Sequence, residues 1–258
     1  MTILDQLADA AKERVDAAKK RVSPDEIKKR ALNLPKGDFS FERALRKPEV
    51  SFICECKKAS PSKGLIAPDY PYLQIAQEYE KAGADCVSVL TEPTRFFGAD
   101  EHLREIAGAI NIPCLRKDFV VDEYMLYEAK VLGASAALLI CSILGEEQIG
   151  DYLAVCETLG LSALVETHDE REVQTALRVG AKIIGVNNRN LKDFSVDASN
   201  SRNLRAAVPR DVLFVSESGI TSREDVESLR QIGVDAVLVG ETLMRANDKV
   251  AKLAELRG

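Results

Sequence analysis

Ala82-Gly83-Ala84-Asp85-Cys86-Val87-Ser88-Val89-Leu90-Thr91-Glu92 holds the unit that recurs along this chain. A glycine ends a helical segment, a short β-rich run follows, and the run stops at polar residues. The glycine recurs in Leu132-Gly133-Ala134, Leu159-Gly160-Leu161, Val179-Gly180-Ala181 and Ile232-Gly233-Val234-Asp235. Glycine there can adopt the left-handed conformation that closes a helix and turns the chain into a strand. The runs are Val50–Cys54, Cys86–Leu90, Ile112–Leu115, Ala136–Cys141, Ser162–Val165, Ile183–Val186, Val212–Val215 and Ala236–Val239. Most lack polar/apolar alternation, as expected of parallel strands buried on both faces. Eight βα units fit the lower end of the roughly 200–400 residues of a (β/α)8 barrel. A doubly wound open sheet normally carries a Gly-rich dinucleotide fingerprint after its first strand, and none follows Cys54. The predicted fold is therefore α/β, a (β/α)8 TIM barrel over residues 49–258.

Ahead of it, Leu4, Leu7, Ala8, Ala11, Val15 and Ala18 fall on one helical face. Ser23-Pro24-Asp25-Glu26 then starts a second helix, with Ser23 as cap, Pro24 in the first turn and Glu26 placed for a capping box. Residues 1–48 are read as an N-terminal helical extension. Asp5, Asp9, Lys12, Glu13 and Arg14 break any apolar segment that could direct export. No apolar stretch approaches the ~20 residues of a membrane span. The expectation is a cytoplasmic protein without membrane contact.

The chain has 258 residues, 46% hydrophobic and 29% charged, with a net charge of −6. It can bury a sizeable core, and its acidic balance with scattered lysines disfavours nucleic acid and anionic membrane as partners. The six cysteines sit mostly in apolar runs and read as reduced, buried thiols. Cys54-x-Cys56 lacks a second Cys/His pair at zinc-like spacing, so no metal site is expected.

Barrel chemistry gathers where strands end and βα loops begin. The residues there are Glu55 and Lys57, Glu92, Lys117 and Asp118, Glu166, Asn187 and Arg189, Glu217-Ser218-Gly219, and Gly240-Glu241. If Glu55 and Lys57 point into the barrel, Cys54 and Cys56 point out toward helices. The loops after the seventh and eighth runs, Ser216-Glu217-Ser218-Gly219-Ile220 and Val239-Gly240-Glu241-Thr242, are candidates to hold a phosphate on backbone N–H groups. Glu241 must then turn its charge away. Lysines and glutamates meeting at one rim shift each other's pKa, leaving a lysine able to donate a proton and a glutamate able to accept one. His102 and His168 are not needed as the main catalyst. Phe96-Phe97-Gly98 and Phe119 could flank a flat substrate or simply pack beneath loops.

These rim residues resemble indole-3-glycerol-phosphate synthase, the ring-closing enzyme of tryptophan biosynthesis. The match lies in Glu55-Cys56-Lys57-Lys58-Ala59-Ser60-Pro61-Ser62-Lys63-Gly64, close to the family's E-x-K-K-x-S-P-S-K-G. It continues in Ser88-Val89-Leu90-Thr91 with Phe96-Phe97-Gly98, in Leu115-Arg116-Lys117-Asp118-Phe119 and in Leu164-Val165-Glu166. Ile184-Gly185-Val186-Asn187-Asn188-Arg189-Asn190-Leu191, Ser216–Ile220 and Leu238–Met244 complete it in family order.

The resemblance implies a small-molecule sugar-phosphate substrate bearing an anthranilate group, 1-(2-carboxyphenylamino)-1-deoxyribulose 5-phosphate. It implies cyclisation, decarboxylation and dehydration to indole-3-glycerol phosphate without a cofactor. Lys117 would protonate the carbonyl, and Glu166 would serve as base or shuttle in dehydration. Glu55 and Lys57 would assist proton transfer and charge balance, with Glu217 joining the catalytic set and Asn187 orienting hydroxyls. Lys57, Ser60 and Arg189 are candidates for the anthranilate carboxylate or for other polar anchors. Ser218, Gly219, Gly240 and Glu241 would offer backbone N–H groups to phosphate, and Phe97 and Phe119 would flank the ring. Glu241 stands where many members have Ser, and Cys54 and Cys56 replace more usual small or aliphatic residues.

The long loop Ser60–Asp69 is expected to fold over the mouth, with the N-terminal helices as the other wall, so that deleting residues 1–22 raises KM. Two other readings compete. A phosphoribosyl-anthranilate isomerase would usually carry a cysteine at the first strand end, where this chain has Glu55 and Lys57. A non-catalytic sugar-phosphate sensor would need the phosphate loops but not Lys117 and Glu166 together, and Lys117→Ala separates it from an enzyme.

Overall fold

Strand pairing in the computed structural model, which describes residues 2–190 and 194–258, closes the eight runs into a ring. The strands are β1 (Ser51–Cys56), β2 (Cys86–Leu90), β3 (Cys114–Lys117), β4 (Ala136–Ile140), β5 (Ser162–Thr167), β6 (Ile183–Asn187), β7 (Leu213–Glu217) and β8 (Ala236–Val239). Each pairs in parallel with its neighbours, and β1 pairs with both β2 and β8. The helix-ending glycines 83, 133, 160, 180 and 233 all have positive φ, the conformation their spacing requires. Leu191 of the quoted motif and Met1 lie outside the described residues. No helix among the described residues is long and apolar enough to cross a membrane.

Five strands run one or two residues past the end of their apolar run. Glu55 pairs with Ser88, Lys117 with Leu90, Glu166 with Ile140 and Asn187 with Glu217. Ladder hydrogen bonds are indifferent to side-chain polarity, so an apolar run marks the buried part of a strand and not its end. Glu55, Lys117, Glu166 and Glu217 therefore stand on strand ends, while Lys57, Asp118 and Arg189 follow just beyond them.

Side-chain parity separates two cores. Ile53, Leu115, Leu138, Leu164, Leu213 and Leu238 fill the barrel interior. Phe52, Cys54, Cys56, Val87, Val89 and Phe214 pack outward against helices. Cys54 and Cys56 thus face the helix layer, where burial raises their pKa and keeps the thiols protonated.

The helices before β1 contribute to both cores. α1 (Ile3–Arg21) is closed by a Thr2–Asp5 capping box and buries Leu4, Leu7 and Ala11 in the interior cluster. α2 (Pro24–Asn33) begins at Ser23, whose side chain accepts from Glu26 N. The Glu26 carboxylate goes to Arg30 Nε at 2.8 Å. α2 packs on helix Tyr124–Val131. α3 (Ser40–Leu45) plugs the far end, with Phe41 and Leu45 in the interior cluster. Its Glu42 N–H donates to Ser162 Oγ, and its Ala44 carbonyl accepts from Ser51 Oγ, tying it to the first residues of β5 and β1.

Candidate active site

At the C-terminal ends of the strands lies a cavity of about 800 Å³. Glu55, Lys57, Ser60, Lys117, Phe119, Glu166, Asn187, Arg189, Glu217, Ser218, Gly219, Gly240 and Glu241 all line it. Lys117, the last residue of β3, stands at its centre. Its Nζ lies 3.3 Å from Glu166 Oε2 and 3.7 Å from Glu217 Oε2. Burial alone would lower the lysine pKa, but Glu166, Glu217 and Glu55 together hold it above its ordinary value, so the ammonium keeps its proton.

The two carboxylates around this one cation are driven apart. Burial and the charge of Glu166 push Glu217 up to about 8. Burial also works against ionised Glu166, but Lys117, His168 and a hydrogen bond with Asn187 outweigh it and hold Glu166 below the usual range. One buried site thus holds an ionised carboxylate, a carboxyl that keeps its proton near neutral pH and a protonated amine, which is what paired acid and base chemistry requires. Beside them, Lys57 Nζ is 2.5 Å from Glu55 Oε1. A Cβ on Gly240 would come within 2.3 Å of that Glu55 oxygen and 2.8 Å of Lys57 Nζ, so glycine gives the pair its space.

The loop after β7 is fixed from β6. Asn187 Oδ1 accepts from Ser218 Oγ (2.9 Å) and Arg189 N (3.0 Å). Asn188 Nδ2 donates to Ser218 O at 3.0 Å. Ser218 and Gly219 are both left-handed, with φ of 69° and 82°. Successive backbone N–H groups held in such turns form concave anion sites. Thr242 Oγ1 donates to Ile220 O, tying this loop to the one after β8. Glu241 turns its carboxylate to Arg245 Nε at 2.9 Å, with Lys63 Nζ 3.8 Å away.

Phe97 corrects the sequence reading. It takes φ 54°, is 48% exposed and does not line the cavity, whereas Phe96 does. Glu92 is the cause. Its buried carboxylate accepts from the N–H groups of Thr94, Arg95 and Phe96, curling the loop so that Phe96 points inward. The rings of Phe96 and Phe119 are 6.1 Å apart. Glu92 is thus a loop-shaping residue and not a cavity group.

The sequence model described as "Indole-3-glycerol phosphate synthase" matches residues 4–256. The chain is also similar to the indole-3-glycerol phosphate synthase of Ruminiclostridium cellulolyticum, with 52% identity over 99% of both chains. The protein of that name from Endomicrobium trichonymphae is 50% identical over 99% of both.

The chain belongs to the indole-3-glycerol phosphate synthase family.

The match of the indole-3-glycerol phosphate synthase family takes in α1 as well as the barrel. Among solved structures, 3-hexulose-6-phosphate synthase from Salmonella typhimurium superposes with TM-score 0.65 at 14% identity, covering 81% of this chain and 97% of that one. That likeness concerns the barrel fold alone.

Ile3, Leu4 and Leu7 of α1 line the cavity, as do Pro61, Ser62 and Lys63 of the loop expected at the mouth. The anchor of α1 and the position of His168 escaped the sequence reading. α1 is anchored by Arg14, whose guanidinium meets both oxygens of buried Asp118 at 2.7 and 3.0 Å. Thr91 Oγ1 also donates to Asp118, and Arg116 lies 3.9 Å away. Arg116 itself faces the helices but is paired with Asp100 and Glu128 at 2.8 Å each. His168 is 3.5 Å from Glu166. Its signal was parity, since a residue two beyond Glu166 leaves the barrel on the same side.

Proposed function

We propose that this protein converts 1-(2-carboxyphenylamino)-1-deoxyribulose 5-phosphate to indole-3-glycerol phosphate, CO2 and water, as a carboxy-lyase of tryptophan biosynthesis in the cytoplasm. In ring closure the aromatic carbon bearing the carboxylate bonds to the sugar carbonyl carbon. The carbonyl π pair moves to oxygen, which takes a proton from Lys117. The bond to the carboxylate then breaks, and its electron pair restores the aromatic ring. In dehydration Glu166 takes a proton from the carbon next to nitrogen and passes it to the hydroxyl, which leaves as water while the ring double bond forms. Glu217 keeps Lys117 and Glu166 in register, and Asn187 orients the sugar hydroxyls. The steps are bond making, bond breaking and proton transfer with no net oxidation or reduction, so the proposed reaction calls for no cofactor.

The backbone N–H groups of Ser218, Gly219, Gly240 and Glu241 would hold the phosphate. Phe96 and Phe119 would flank the aromatic ring. Lys57, Ser60 and Arg189 would take the anthranilate carboxylate. Residues 1–48 would act as an extension that walls the catalytic barrel of residues 49–258, with the loop from Ser60 to Asp69 as the opposing cover.

One observation carries this reading. Lys117 lies 3.3 Å from Glu166 in the same cavity as the loops after β7 and β8. A single positioned acid or base supplies ~10²–10⁴-fold in rate, and a pre-organised pair supplies more. The test is incubation with the carboxyphenylamino sugar phosphate while indole fluorescence is followed, against a low background because the chain has no Trp. A linear rise is expected, abolished in Lys117→Ala. A sensor would bind the compound and leave it unchanged.

A further inference from the structure

The reaction proposed above consumes a proton. The carboxylate departs as neutral CO2 and the carbonyl oxygen as water, so the products carry one negative charge fewer than the substrate. Glu166 returns to the hydroxyl the proton it takes from carbon. The deficit therefore falls on Lys117, which must be recharged from solvent once per turnover although its side chain is largely buried.

His168 stands on the one side of Glu166 that Lys117 does not occupy. Lys117 faces Glu166 Oε2, while His168 Nε2 lies 3.5 Å from Oε1 and has no hydrogen-bond partner among the described residues. On the other edge of the ring, Nδ1 is 3.2 Å from Ser142 Oγ and 3.3 Å from Glu172 Oε2. Ser142 donates to Glu172 Oε1 at 2.6 Å and is exposed. Ser142, His168 and Glu172 line a second cavity of about 600 Å³, which shares Leu4, Asn187 and Arg189 with the first. The residue is held in place through its backbone, since its N–H donates to Glu172 Oε2 and its carbonyl accepts from Asn200 Nδ2.

We propose that His168 recharges Lys117 by passing a solvent proton from the second cavity to Glu166 Oε1, from which Oε2 hands it on. Nε2 gives up its proton to Glu166, Glu166 gives one to the neutral amine, and the imidazole takes its replacement at the Ser142 edge. His168 does not touch substrate in this scheme; it acts through Glu166. The titratable and charged groups facing the ring suit the task. Glu166 and Glu217 face it from β5 and β7, Glu172 from helix Glu170–Arg178, and the second cavity adds Asp5, Asp169, Asp197 and Arg189. Burial alone would lower the imidazole pKa, but Glu172 and Glu166 outweigh it and raise it above its ordinary value, which favours the proton-bearing ring.

The inference rests on the proposed reaction, so the full-length wild type is assayed first. If it makes no indole product, the functional reading fails before His168 is tested. In His168→Gln, kcat is expected to fall about tenfold, short of the ~10²–10⁴ lost with a group acting on substrate directly. KM should stay within about twofold, since a relay residue adds nothing to uniform binding. Added imidazole should restore most of kcat, which it could not do for a packing defect. Glu172→Gln keeps an acceptor for the His168 N–H but removes the charge that holds the imidazole proton. Its alkaline limb of kcat should move to lower pH. Wild-type kcat in His168→Gln, a loss that imidazole leaves unrepaired, or an unmoved alkaline limb in Glu172→Gln would each overturn the proposal.

Discussion

Gly185 on β6 leaves open the space that the Glu217 carboxylate fills: a Cβ there would lie 2.2 Å from Glu217 Oε1 and 3.1 Å from Leu164 Cδ1. The nearest atom belongs to the end of a side chain, so Gly185→Ala should displace the carboxylate before it displaces backbone. Overpacking of this kind costs about 1–3 kcal/mol. The variant should therefore fold, with kcat down at least tenfold because Glu217 is pushed off its 3.7 Å approach to Lys117. Thermal unfolding beside steady-state kinetics checks both halves, and an unimpaired kcat would remove Glu217 from the machinery.

Glu217 also sets a pH dependence. Its carboxyl is pushed up to about 8 by burial and by Glu166, whereas in the unfolded chain it titrates near the ordinary glutamate value. Between those values the native state holds a proton that the unfolded state has released. Its contribution to stability is therefore full below the unfolded value and is lost as pH rises through about 8. Glu217→Gln cannot ionise. The variant should match wild type at pH 4 and become the more stable of the two at pH 8 and above. Urea midpoints at the two pH values decide it, and equal differences at both would mean that Glu217 is not held protonated.

The barrel was legible because its evidence is local and repeated: eight apolar runs with polar stops, five of them preceded by a left-handed glycine. The rim was legible because parallel strands place their ends at one face, so residues distant in sequence, such as Lys117 and Glu166, had to meet. What failed to show depended on tertiary detail. α3 is too short for periodicity to find, and its plug role lies in Phe41 and Leu45 reaching between strand starts. The choice between Phe96 and Phe97 was made by Glu92, whose carboxylate looked like one more rim charge. Arg14 lay on the polar face of an amphipathic helix, and only docking against Asp118 reveals it as an anchor.

That anchor makes α1 testable without deleting it. Removing residues 1–22 would strip Leu4, Leu7 and Ala11 from the interior cluster and confound binding with stability. Arg14→Ala instead frees the helix from Asp118, whose carboxylate is held below its usual range by Arg14 and Arg116 against the effect of burial. Loss of hydrogen bonds to a charged group in this half-buried setting costs about 2 kcal/mol. KM should rise several-fold with kcat little changed, because Ile3, Leu4 and Leu7 wall the cavity. Amide exchange along α1 should quicken selectively, and unaltered protection there would show that the pair does not secure it.

Phe96 and Phe97 separate the two faces of their loop. Phe96 lines the cavity beside Phe119, while Phe97 stands in solvent. An aromatic contact contributes about 0.5–1.5 kcal/mol beyond burial, so Phe96→Leu should raise KM by about twofold to twelvefold. Phe97→Leu should leave KM within error. The reverse ranking would restore Phe97 to the ring pocket.

Glu241 puts a carboxylate at the edge of the proposed phosphate cradle, and its effect turns on its partners. Arg245 at 2.9 Å and Lys63 at 3.8 Å neutralise it, and both cations line the cavity. Glu241→Gln keeps the side-chain volume, leaves the backbone N–H in place and releases both cations toward an incoming dianion. KM should therefore fall a few-fold at low ionic strength. The gain should shrink in high salt, where partly exposed charges are screened over a Debye length of about 3 Å at 1 M. Measurement of KM at both ionic strengths gives the sign. A rise would mean that Glu241 matters for holding Lys63 and Arg245 over the mouth, and that their placement outweighs the repulsion it brings.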